Sequence, residues 1–275
     1  MLRGCVALFA MAWPSVAGNV SYVVLHKDGP DSLVRISADG QSRTTIATGA
    51  GGYGLAVDEH GDYIVAAVSS LLRVTSSGVV GKIAATPSGS QWMSVAVDPR
   101  GNYIVGDNQR HSIWRVSPDG QTVERVAAYP VRNNDELEDV AVIPDGAGDY
   151  LVMEDNSFTA HLWRVSPVGL VTPIPLHGDR MISGSPIIAN GDGTYLVGSY
   201  REGAIFRVTS TGEVKKFASV SGRNLTGLAR NPETGELVAT FNFDPALRKI
   251  SADGSSVTEF TDLGYAHAIL AESGR

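Results

Sequence analysis

The 275-residue chain has one cysteine, Cys5, and it lies in the N-terminal apolar stretch. The remainder therefore has no disulfide, no thiolate metal ligand and no cysteine nucleophile. Charge is sparse, with 19% of residues charged, and 29 acidic against 22 basic side chains leave a net charge of -7. That balance argues against a nucleic-acid backbone as the partner. No apolar run reaches the roughly 20 residues that a bilayer-spanning helix needs. No G-x-S-x-G, G-x-x-x-x-G-K or H-E-x-x-H segment occurs, which removes the usual warrant for serine-hydrolase, P-loop and zincin chemistry.

What the sequence does have is glycine, 31 residues of it, together with 43% hydrophobic content. Glycine spread among short β-branched runs predicts many tight turns between many short strands, and the apolar content is enough for a core. The start of the chain reads as a targeting segment. Arg3 is followed by an apolar and small-residue stretch from Gly4 to Trp13, and Ser15-Val16-Ala17 supplies small residues at the -3 and -1 positions of a peptidase site. Residues 1–17 are read as a signal peptide, and residues 18–275 as a single secreted or periplasmic domain, expected to be monomeric.

The rest of the chain repeats itself. An aliphatic residue, a bulky residue, a base, Val or Ile, Ser or Thr, and a glycine three residues later recur, as in Leu71-Leu72-Arg73-Val74-Thr75 before Gly78 and Ile113-Trp114-Arg115-Val116-Ser117 before Gly120. The six bases are Arg35, Arg73, Arg115, Arg164, Arg207 and Lys249, and the six glycines are Gly40, Gly78, Gly120, Gly169, Gly212 and Gly254. A second phrase precedes most copies, as in Val95-Ala96-Val97-Asp98-Pro99-Arg100-Gly101-Asn102-Tyr103-Ile104-Val105. Each unit reads as strand A, a turn, strand B, a variable loop, strand C, a Ser-x-x-Gly turn and strand D. Four strands in about 40 residues is the pattern of a propeller blade, since one small sheet cannot bury its faces alone but a ring of sheets can.

The ends predict how the ring closes. Ala268 to Gly274 reads as a strand A with nothing after it, and Tyr22-Val23-Val24-Leu25 as a strand B with no strand A before it. The expected fold is an all-β, six-bladed propeller of four antiparallel strands per blade, one blade being assembled from both termini. The phrase Ala96 to Asp107, running on to Ile113-Trp114-Arg115-Val116, resembles an NHL-type repeat and is similar to blades of the SMP-30/gluconolactonase and streptogramin-lyase-like propellers. That resemblance carries strands and turns but no chemistry, because its relatives range from protein scaffolds to metal-dependent lactonases and lyases.

Repetition separates scaffold from site. A residue present in every blade serves what every blade needs, so the six bases are read as pairing with neighbouring-blade turns or as solvated, and Asp58 and Asp98 as turn formers. The resemblance places ligands at the channel mouth formed by the D-to-A and B-to-C loops, where three constellations stand side by side. Resemblance to lactonase-like propellers implies a divalent cation (calcium, magnesium or manganese) held by Glu138, Asp139 and Asn224. General acid/base chemistry would fall to His267, with His111 or His161 as its partner. A recognition surface of aromatic and guanidinium groups would use Trp92, Tyr53, Tyr200, Tyr265, Arg201 and Arg223, beside Arg132 and Arg180, for an anionic, sugar-like or peptide ligand. Recognition of a small molecule or protein partner is the leading expectation, and a lactonase or lyase the alternative.

Overall fold

A computed structural model describes residues 20–27, 29–130, 139–155, 159–220 and 224–273. Residues 1–17, read above as a signal peptide, lie outside the described residues. The described residues form six sheets, each with four antiparallel strands in the order A to D from the axis outward, and the blade 5 sheet gains a short parallel strand, His177–Gly178, on its outer edge. Blade 1 joins Ala266–Ser273 to Val20–His26, Ser32–Ile36 and Arg43–Thr48, and blade 2 contains Gly54–Val57, Tyr63–Ala67, Ser70–Val74 and Val80–Ala85. Blade 3 runs through Trp92–Val97, Tyr103–Asp107, Ser112–Val116 and Val123–Ala128, and blade 4 through Asp139–Pro144, Tyr150–Asp155, Ala160–Val165 and Val171–Ile174. Blade 5 holds Ile187–Ala189, Thr194–Ser199, Ala204–Thr209 and Glu213–Ser219, and blade 6 Leu225–Arg230, Leu237–Phe241, Ala246–Ile250 and Val257–Asp262. The predicted closure is present: the last strand pairs with the first from Val20↔Ser273 to His26↔Ala266. Among the described residues no helix is long and apolar enough to cross a membrane.

The core is divided into six apolar wedges, one between each pair of neighbouring blades. Strand B explains why. Tyr63 and Val65 enter the wedge shared with blade 1, while Ile64 and Ala66 enter the wedge shared with blade 3. A strand buried on both faces needs an unbroken apolar run, and that is what these segments have. The repeated glycine after strand C has two reasons to be glycine. Gly78 has φ 87°, and a Cβ there would collide with the carbonyl of Ile46 on the outer strand of the preceding blade. Gly49-Ala50-Gly51-Gly52-Tyr53-Gly54 has the G-x-G-x-x-G spacing, yet it joins two strands and opens no helix, so the phosphate-binding context is missing.

Three of the six bases reach across to a neighbouring blade, while Arg164 and Lys249 pair with Asp145 and Glu236 of their own blades. Arg73 of blade 2 donates to the Tyr103 hydroxyl of blade 3 at 2.6 Å, and that hydroxyl lies 3.3 Å from Asp58 in the A-to-B turn of blade 2. Arg115 and Asp98 meet Tyr150 of blade 4 in the same way, and Arg35 and Glu272 meet Tyr63 of blade 2. These are clasps between blades. The junction from blade 5 to blade 6 differs, because Leu237 occupies the tyrosine position and Arg207 packs instead over Phe217.

Candidate functional site

The edges of the six A strands surround an axial channel of about 490 Å³. Its wall is mostly aliphatic, and its polar side chains collect at the loop end, where Tyr53, Ser94, Ser185, Thr226 and His267 stand at the beginnings of the strands. Arg230 lines the opposite end. The loop end therefore joins a shaft whose side chains are mostly aliphatic to a rim of polar ones, a composition that ligand sites share.

The most organised part of the mouth spans blades 6, 1 and 2. The rings of Tyr53 and His267 meet edge to face at 4.8 Å, and Lys27 Nζ sits 4.9 Å from the Tyr53 ring centre while pairing with Asp31 at 3.5 Å. Burial, and secondarily the Lys27 charge, push the His267 pKa down to about 4, so its imidazole is neutral near pH 7. The Lys27 amide donates to the Tyr265 carbonyl at 2.8 Å, and the Tyr265 ring meets Phe243 edge-on at 6.1 Å. Phe243 is 69% exposed. The three non-glycine residues described with left-handed backbone, His111, Asn224 and Phe243, all belong to this loop face. Such strain concentrates where a surface is held for a purpose.

The remaining predicted residues scatter. Trp92 is 0% exposed and packs in the wedge between blades 2 and 3, so its ring serves the core and not the rim. His111 packs edge-on to Tyr129, and no hydrogen bond or ring contact joins it to His267. His161 stacks on Trp163 and borders a second cavity, away from the channel. Tyr200 accepts the Asn224 amide through its carbonyl at 2.6 Å. Arg201 is exposed, its loop anchored where the Arg201 amide donates to Ser183 Oγ. Arg223 and Glu138 lie outside the described residues, and Asp139 begins the blade 4 A strand with its side chain likewise undescribed.

For a divalent cation, the described side chains do not assemble a ligand set: no group of three or more His, Cys, Asp and Glu is close enough among them. The described side chains that line the channel mouth supply hydroxyls and one imidazole, a poor match for a hard cation. Lys27 and Phe243 lie in the B-to-C loops visible in sequence, yet only their contacts mark them. Two buried carboxylates are more concealed. Asp107 accepts the Trp114 indole N–H at 2.8 Å, and Glu154, 2% exposed, accepts that of Trp163 at 3.0 Å. Burial raises the Glu154 pKa, and Glu154 with Asp107 adds to the burial that lifts Tyr129 far above its ordinary value.

No protein-family model and no curated protein sequence matches the chain. Solved structures do match in fold. The nidogen/laminin complex is similar over 92% of this chain and 98% of the matched chain, with TM-score 0.76 and 11% identity. A streptogramin B lyase matches over 93% and 88% with TM-score 0.65 and 14% identity, and virginiamycin B lyase from Staphylococcus aureus over 77% and 70% with TM-score 0.58 and 17% identity. At these identities the likeness is one of architecture, a propeller resembling the streptogramin-lyase-like proteins.

Proposed function

We propose that the loop-end mouth of the channel recognises a hydroxylated, ring-bearing anion such as an acidic sugar. The observation that carries this reading is the arc of Tyr53, His267, Lys27, Tyr265 and Phe243 above the channel. Aromatic faces pack against sugar rings and the Lys27 ammonium attracts an acid group, above a channel lined by Ser94, Ser185 and Thr226. Calorimetric titration of galacturonate oligosaccharides tests it. Binding by the wild type that falls about tenfold in Tyr53→Ala and in Lys27→Gln, with melting temperatures unchanged, supports the reading. Equal affinity in all three proteins defeats it.

A second reading, a lactonase or lyase, draws on one feature. His267 keeps a neutral imidazole at the mouth, the form that can take up a proton, and lyases occur among the structures of like fold. Turnover of simple lactones that a chelator and Glu138→Gln both abolish would establish this reading. Export is proposed on the composition of residues 1–17 alone, and secreted material still carrying Met1 to Ala17 would refute it.

A further inference from the structure

Blade 4 breaks the repeat on its outer edge. In the other five blades the C–D pairing contains a register shift and strand D reaches the first residue of strand C, as in Ser112↔Ala128 and Ser32↔Thr48. Blade 4 has no shift, and its pairing stops at Leu162↔Ile174, two residues short of Ala160. The sequence supplies the cause: strand D reads Val171-Thr172-Pro173-Ile174-Pro175, and Pro175 lacks the N–H that would continue the ladder. The chain then crosses to blade 5, where His177–Gly178 pairs in parallel with Glu213–Val214.

The space left by the missing strand end is a cavity of about 480 Å³, as large as the axial channel and separate from it. Leu162, Ile174, Leu176 and Met181 line it beside the His161–Trp163 stack, giving an aliphatic and thioether interior next to aromatic rings. The rim carries three ionisable groups. Asp179 is occupied as acceptor for the Lys216 amide at 2.8 Å, and His177 Nδ1 donates to the Pro175 carbonyl at 3.2 Å. Arg180 is exposed and has no hydrogen-bond or ion-pair partner among the described residues.

We propose that this cavity is a second ligand site, built for a small aromatic anion whose ring fills the space beside Met181 and whose acid group meets Arg180. An apolar ring displaces water from the aliphatic walls, and a thioether packs favourably against an aromatic ring. A guanidinium with its donors uncommitted is the complementary group for a carboxylate, which it can engage through two hydrogen bonds. The site is independent of the channel mouth and stands whatever binds there.

Indole-3-acetate and its uncharged counterpart indole-3-ethanol are suitable probes, read by ligand-observed NMR and by the methyl resonance of Met181, assigned with Met181→Leu. The acid should bind about tenfold more tightly than the alcohol and shift that methyl. Arg180→Ala should remove the preference for the acid, and Leu176→Trp, which fills the cavity, should weaken both probes. Absence of binding to the wild type overturns the proposal. So does binding that survives both variants but is lost in Tyr53→Ala, since the probe would then occupy the channel mouth.

Discussion

The phenol of Tyr103 in blade 3 is held by Arg73 of blade 2, with Nη2 2.6 Å from the hydroxyl. Neither residue contacts the other through its own sheet. At three junctions, blades 1/2, 2/3 and 3/4, a polar clasp of this kind adds to the apolar wedge, and a hydrogen bond from a charged donor is among the stronger kinds.

Tyr103→Phe keeps the ring in its wedge and removes only the hydroxyl. It should lower stability by about 1–2 kcal/mol, measured by urea denaturation. Arg207→Ala, at the junction without a tyrosine, should cost less. Equal losses at the two junctions would show that the hydroxyl clasp contributes nothing of its own.

Removal of residues 268–275 takes away most of the strand that pairs with Val20–His26 and uncovers Val23, Val24 and Leu25, all buried in the intact ring. The loss should exceed about 5 kcal/mol, enough to abolish a cooperative thermal transition. An unchanged melting curve would mean that blade 1 does not need its fourth strand.

His267 should remain neutral well below the usual histidine range, titrating near pH 4 by NMR. Between the ordinary value of 6.5 and about 4, the unfolded chain takes up a proton at this position and the folded chain does not. Stability is therefore lost as pH falls through that window, and His267→Gln should flatten that part of the pH profile. A resonance that titrates near 6.5 would contradict the burial that the fold imposes.

Glu154 works in the opposite direction. Its folded pKa lies above that of the unfolded chain, so the charged form opposes folding and the penalty fades as pH falls toward the ordinary value of 4.5. Glu154→Gln keeps an acceptor for the Trp163 indole without the charge, and should stabilise the protein at pH 7 but not at pH 4. Glu154→Ala leaves that indole without its partner and should cost about 2 kcal/mol at pH 4, and less at pH 7, where the buried charge is removed with it. Identical pH profiles for wild type and Glu154→Gln would rule out a buried charge.

The repeat made the ring legible because each blade solves the same burial problem with the same local pattern, down to Gly78 and Arg73. The clasp was half visible: Tyr22, Tyr63, Tyr103, Tyr150 and Tyr195 stand within the first three residues of successive B strands, but a partner in a neighbouring blade leaves no trace at short range. Trp92 shows the limit at the site. Its place near a D-to-A loop reads as a rim position, yet strand A of blade 3 already includes it and turns its ring into the wedge. The contact of Tyr53 with His267 joins positions at opposite ends of the sequence, in loops where no periodicity exists to be read.

Each A strand is the edge of its sheet, so one row of its backbone amides and carbonyls faces the axis and finds no strand to bond. Backbone groups of that kind require water when protein cannot serve them. The aliphatic side chains of the shaft thus stand among six hydrophilic seams, and drying the channel would strand all of those groups together. A greasy tail should be refused entry along the axis, however well its width fits. The shaft behaves as a wet column beneath the mouth, and a guest that settles at the top keeps its own hydroxyls in contact with that column.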